Sequence, residues 1–141
     1  MYKLNEAHFI LINKIVTKKE GQPFGVLCEA ALSDIVKSVF ETNPKDGIYL
    51  YRGFIEKAAK YGDLLAEKKA FKSCNVKTAI VAILIFLKIN NIELRDYRSS
   101  LHSLADCLCG KSGSSTHDWL IDLHEKRKSG VGRGSYTPFL T

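Results

Sequence analysis

The run Lys69-Ala70-Phe71-Lys72-Ser73-Cys74-Asn75-Val76-Lys77-Thr78 leads from a polar stretch into an apolar one. A loop entering a helix leaves the first backbone N–H groups of that helix unpaired, and the helix dipole adds partial positive charge there. Ser73, Cys74, Asn75 and Val76 are therefore a candidate anion site suited to phosphate, with Lys72 and Lys77 beside it in sequence. From Arg52 to Lys77 the chain carries seven basic and three acidic residues, a local excess of four positive charges. A plainer role is open to the same residues, with Ser73 or Asn75 capping the helix and the lysines forming a solvated face. Cys74 is the cysteine whose thiolate such a position would favour, a candidate reactive thiol or else a small packing residue.

Other groups have weaker spacing. Cys107 and Cys109 with His102 and His117 do not follow a Cys-x₂₋₄-Cys pattern, and on a helix the two thiols would point apart, so no metal site is assigned. His117 and His124 share a helix face and read as surface histidines. The basic tail from Lys126-Arg127-Lys128 to Arg133 resembles the short basic tails of many proteins, and nucleic acid is not an expected partner.

The elements that position these residues read as helices almost throughout. Leu4, Phe9, Ile12, Ile15 and Val16 predict a first amphipathic helix ending near Thr17 to Gly21, and Leu27, Ala31, Ile35 and Val39 predict a second from Leu27 to Phe40. The turn signal Lys45-Asp46-Gly47 before Ile48-Tyr49-Leu50-Tyr51 predicts a small β-hairpin or flap. A third helix is predicted over Arg52 to Lys68, with Gly62 its weak point, followed by a loop from Lys69 to Cys74. The fourth, Asn75 to Ile89, is apolar nearly all round and belongs at the centre, surrounded by the others. Two more are predicted, Glu93 to Cys109 and Thr116 to Lys128, with an irregular tail over Ser129 to Thr141. The fold class is all-α, a helical bundle in one domain over residues 1–128.

With 141 residues, 45% hydrophobic and 26% charged, the chain is long and apolar enough for one core and is not of disordered or fibrous composition. Its net charge of +6 favours polyanionic partners. The start Met1-Tyr2-Lys3-Leu4-Asn5-Glu6 is not that of a secretion signal, and the most apolar stretch, Ala79 to Leu87, is too short to span a membrane. A reduced, cytoplasmic protein with no membrane association is expected.

The segment Tyr49-Leu50-Tyr51, then Glu56-Lys57-Ala58-Ala59, then Lys69 to Ala79, ending in Phe86-Leu87-Lys88-Ile89-Asn90-Asn91, resembles the Fic/Doc family, particularly its death-on-curing branch. In that family an aromatic and Glu-Lys-Ala-Ala precede His-Pro-Phe-x-Asp/Asn-Gly/Ala-Asn-Lys-Arg-Thr-Ala and a helix ending Phe-Leu-x-x-Asn-Gly. Val26 to Leu32 resembles the family's Leu-Glu-Ser-Ala-Leu segment, so the similarity extends over Leu4 to about Leu94. Phe71, Asn75, Thr78 and Ala79 are retained. Lys69 stands at the family's catalytic histidine, Ala70 at the proline, Ser73 at the metal-positioning acid or asparagine, and Cys74 at the small residue. Asn13 stands about where the death-on-curing branch often has a histidine.

The resemblance implies a Fic-type bundle and a nucleotide-dependent transferase, phosphorylating or adenylylating a protein hydroxyl, as in a toxin of a toxin–antitoxin pair. Lys72, Ser73, Cys74, Asn75 and Lys77 would hold the phosphates of ATP or another nucleotide. Lys69 would serve as general base or as a charge on the phosphate, or it is a plain surface lysine. For Mg²⁺ the neutral hydroxyl of Ser73 would be a poor substitute for a carboxylate, leaving the ion to waters and the substrate phosphates. A target protein would pair along the Asp46–Tyr51 flap, and an antitoxin would be a further partner. The alternative is a non-catalytic binder of a phosphate ligand or of a partner protein on the same scaffold.

Overall fold

The computed structural model describes residues 1–95 and 97–131, the last seven by their backbone alone. Six helices form: α1 (Glu6–Glu20), α2 (Glu29–Val39), α3 (Phe54–Lys68), α4 (Asn75–Ile89), α5 (Leu101–Leu108) and α6 (Thr116–Val131). Among the described residues there is no sheet, only two isolated antiparallel bridges. The all-α class and the bounds of α4 agree with the apolar spacing.

Each helix begins and ends for local reasons. At the start of α1 the Asn5 side chain accepts the His8 N–H at 3.2 Å while His8 Nδ1 accepts the Asn5 N–H at 2.9 Å. Left-handed Gly21 closes the other end, a conformation that is inexpensive for glycine. Helix α2 starts two residues later than predicted because Leu27 is engaged elsewhere, donating its N–H to the Ala70 carbonyl at 2.7 Å. Helix α3 starts at Phe54, where Gly53 donates its N–H to Glu56 at 3.2 Å.

The core is one cluster built on the α3–α4 contact. Helix α4 buries Thr78, Ala79, Ala82, Ile83, Phe86 and Leu87, and α3 meets it with Ala58, Ala59, Tyr61, Leu65 and Ala66. Tyr61 is the aromatic hub: its ring lies edge-on to Phe86 at 5.1 Å and to Phe9 of α1 at 5.5 Å. Each such aromatic contact adds about 1 kcal/mol to what area burial supplies. Gly62 is a packing device and not a flaw, for a Cβ there would come within 2.8 Å of Ile83 Cγ1 and 3.3 Å of Leu108 Cδ2. Its missing side chain lets the two central helices close up.

Several predictions need adjustment. The predicted hairpin or flap is reduced to a single antiparallel bridge between Thr42 and Tyr49 around the left-handed turn at Gly47, with no named strand on either side. The helix predicted over Glu93 to Cys109 starts only after a 3-10 turn at Tyr97–Ser100, and α5 is eight residues long. Residues 91–95 instead alternate exposed and half-buried, with Ile92 and Leu94 packed on the core, a period of two that belongs to extended chain. Lastly, α4 is central but not enclosed. Val81, Leu84, Ile85 and Lys88 on its outer side line an open groove of about 560 Å³ with Ile92 and Leu94. Helix α6 continues to Val131, past the predicted end at Lys128, and the rest of the predicted tail lies outside the described residues.

Candidate functional site

The loop between α3 and α4 is shaped by a short antiparallel pairing. Val26 bridges Phe71, Lys72 donates its N–H to the Gly25 carbonyl at 2.8 Å, and the Ala70 carbonyl accepts from Leu27 and Cys28. Ala70 and Phe71 are buried at 1% exposure each, so the loop is nailed to the core in its middle while its two ends face out. Lys69 caps α3 in a left-handed conformation, φ 46°, and Cys74 precedes α4 in another, φ 61°. Two non-glycine residues in that region within six positions indicate a backbone held by its surroundings.

The predicted ligand residues divide by how they are already used. The Asn75 amide is spent on the loop, its Oδ1 accepting the Phe71 N–H at 3.1 Å and its Nδ2 donating to the Phe71 carbonyl at 2.9 Å. The Ser73 hydroxyl donates to the Pro23 carbonyl at 2.7 Å. Lys77 forms an ion pair with Glu20 at 2.7 Å, both groups being largely exposed. Lys69 and Lys72 are exposed, with no hydrogen bond or ion pair to either ammonium among the described residues. Cys74 is half-buried and makes no side-chain cap, so neither Ser73, Cys74 nor Asn75 caps α4 through its side chain. The helix start thus keeps its N–H groups for something else.

The charge excess is less concentrated than its count suggests. Of the basic residues between Arg52 and Lys77, Lys57 is fully buried and Lys77 is paired. The Lys57 ammonium donates to the carbonyls of Tyr51 and Arg52, the second at 3.1 Å, and lies 4.3 Å from the centre of the Tyr49 ring. Burial pushes its pKa down, nearby Glu56 pulls it partly back, and Lys3 adds to the fall. Lys60 sits over the Tyr51 ring at 5.3 Å. These two lysines belong to the flap, which they tie to α3, and Lys69 and Lys72 remain for an anion at α4.

In the flap, Asn43 donates to the Ile48 carbonyl at 2.8 Å and Leu50 to the Glu41 carbonyl at 2.9 Å. The N–H and C=O of Tyr49 point away from that pairing and take no partner among the described residues, leaving one open edge. Ile48 and Leu50 are 45% and 46% exposed beside it.

Sequence reasoning passed over Asn13 as a site residue. Its side chain is fully buried on α1, where Nδ2 donates to the Ser73 carbonyl at 2.9 Å and to Thr78 Oγ1 at 3.0 Å. The signal was a polar residue one turn from Phe9 and next to Ile12 on a mostly apolar stripe that also holds Thr17. Elsewhere, no group of three His, Cys, Asp or Glu side chains among the described residues is placed to hold a metal ion. His117 faces Asp118 at 4.0 Å, and all four cysteines are free. No described helix is long and apolar enough to cross a membrane. Neither a protein-family model nor a curated protein matches the chain.

Proposed function

We propose that this protein holds the phosphate of a nucleotide, or of a related phosphate ligand, at the start of α4, as a non-catalytic binder of the Fic/Doc type. One observation carries this: α4 begins at a left-handed Cys74 with no side-chain cap, beside the unpaired ammonium groups' loop of Lys69 and Lys72. Open N–H groups, the positive end of a helix dipole and two cations are the elements of a phosphate cradle. Lys77 contributes only to the extent that it leaves Glu20. The residues present do not fit Mg²⁺, because the loop from Lys69 to Lys77 has no carboxylate and the Ser73 hydroxyl already serves Pro23.

Isothermal titration with ATP, ADP and GTP tests the proposal. Binding of at least one, with a rise in melting temperature at millimolar ligand, is the expected result. No heat and no shift with any of the three removes the phosphate site.

A second function, protein-modifying transfer of a phosphoryl or adenylyl group by a Doc-like toxin, draws on the exposed position of Lys69 at the mouth of the same loop. A target segment would pair along the open edge of Tyr49, within the Asp46–Tyr51 flap, and an antitoxin would restrain it. Labelled ATP incubated with the protein and a lysate separates the two: transfer lost in Lys69→Ala favours the enzyme, and binding without transfer favours the binder.

A further inference from the structure

We infer that Asn13 is the positioning residue that sets the α3–α4 loop and the start of α4 in the shape an anion needs, an inference that rests on the phosphate reading of that site. The side chain reaches from α1 across 60 residues of sequence to the Ser73 carbonyl and across 65 to the Thr78 hydroxyl. These two acceptors flank Cys74, one before the left-handed N-cap and one in the first turn of α4. A single amide group therefore clamps both sides of the residue whose conformation leaves the helix uncapped.

Two features separate this role from ordinary core packing. Asn13 is fully buried, and its Oδ1 has no hydrogen-bond partner. A buried acceptor left unpaired is unfavourable, so a side chain selected for packing alone at this place on α1 would be apolar, like its neighbours Phe9, Ile12 and Val16. The orientation of the amide is determined as well, because only Nδ2 can donate to a carbonyl. Asn13 thus supplies the one donor that the Ser73 carbonyl receives among the described residues. The loop is fixed in its middle by the pairing of Phe71 with Val26 and at its far end by Asn13.

The test reads the loop without any ligand. Cys74 and Cys107 are both half-buried free thiols, one at the clamp and one on α5, so their alkylation rates by iodoacetamide, resolved by peptide mass spectrometry, report local against global opening. Asn13→Leu is expected to raise the Cys74-to-Cys107 rate ratio about tenfold and Thr78→Val about threefold, while Asn13→His, which restores an N–H donor, stays within about twofold of the parent. A merely structural role would raise both rates together and leave the ratio unchanged. An unchanged ratio in both variants overturns the proposal, and if Asn13→Leu does not fold, the same ratio in Thr78→Val decides it. ATP titration is run in parallel, with affinity in Asn13→Leu expected to fall about tenfold. If ATP does not bind the parent protein, the phosphate reading fails, and the thiol ratio still upholds or overturns the clamp.

Discussion

The hydroxyl of Tyr61 grips the backbone of Leu4 at both ends, accepting its N–H at 3.1 Å and donating to its carbonyl at 2.9 Å. This one phenol ties the segment before α1 to the middle of α3, 57 residues away, while its ring packs against Phe9 and Phe86.

Replacing Tyr61 with Phe keeps the ring and strands the Leu4 carbonyl and N–H, for an expected loss of about 1–3 kcal/mol in urea unfolding. Burial pushes the Tyr61 pKa up to about 12, and the Leu4 backbone bond offsets this only in part. The fold favours the neutral phenol, so its contribution is complete below about pH 10 and is lost as pH rises through the folded value. The difference in stability between parent and Tyr61→Phe should shrink between about pH 10 and pH 12. A constant difference would sink this assignment.

Lys57 titrates in the opposite sense. Its pKa is lowered in the fold, mainly by burial, so the unfolded chain holds the proton more tightly and this group's effect on stability improves as pH rises toward 10.5. Lys57→Met removes the titration and leaves the Tyr51 and Arg52 carbonyls unpaired. Stability at pH 7 should fall by about 1–3 kcal/mol, with faster hydrogen exchange at the Leu50 amide. Unchanged exchange at Leu50 would show that Lys57 does not tether the flap.

Gly62→Ala should destabilise although alanine is the better helix former by about 1 kcal/mol. The new methyl collides with the side chain of Ile83, which is fully buried. Overpacking of this kind costs about 1–3 kcal/mol, so the net change is expected to be a lower melting temperature. A rise would mean that α3 and α4 can separate freely.

The cations at α4 should rank by their present commitments. Lys72→Ala is expected to weaken ATP binding about tenfold and Lys77→Ala less, because Lys77 is already paired with Glu20. Glu20→Gln releases Lys77 and should tighten binding by a few fold, measured by titration at low salt. Equal effects of Lys72→Ala and Lys77→Ala would contradict this ranking by existing ion pairs.

Apolar spacing along the chain was enough to locate α4 from Asn75 to Ile89, since an unbroken apolar segment between a polar loop and Asn90-Asn91 is a local property. It was likewise enough for the all-α class, because helix periodicity and caps involve residues a few positions apart. It misjudged residues 93–95, which were placed in a helix but are not helical, Leu94 packing on the core two positions after Ile92 as extended chain does. The fate of each polar group at the site was settled elsewhere. Lys57 lies among lysines that look alike in sequence, yet it alone of them is fully buried, beneath the flap. Lys77 meets Glu20, Ser73 meets Pro23, and Asn13 meets Ser73 and Thr78, all across α1 or the loop that follows it. Sequence therefore determined where a helix start and its charges would lie. Tertiary packing decided which charges stay free, because pairing and burial depend on elements that are distant along the chain and adjacent in space.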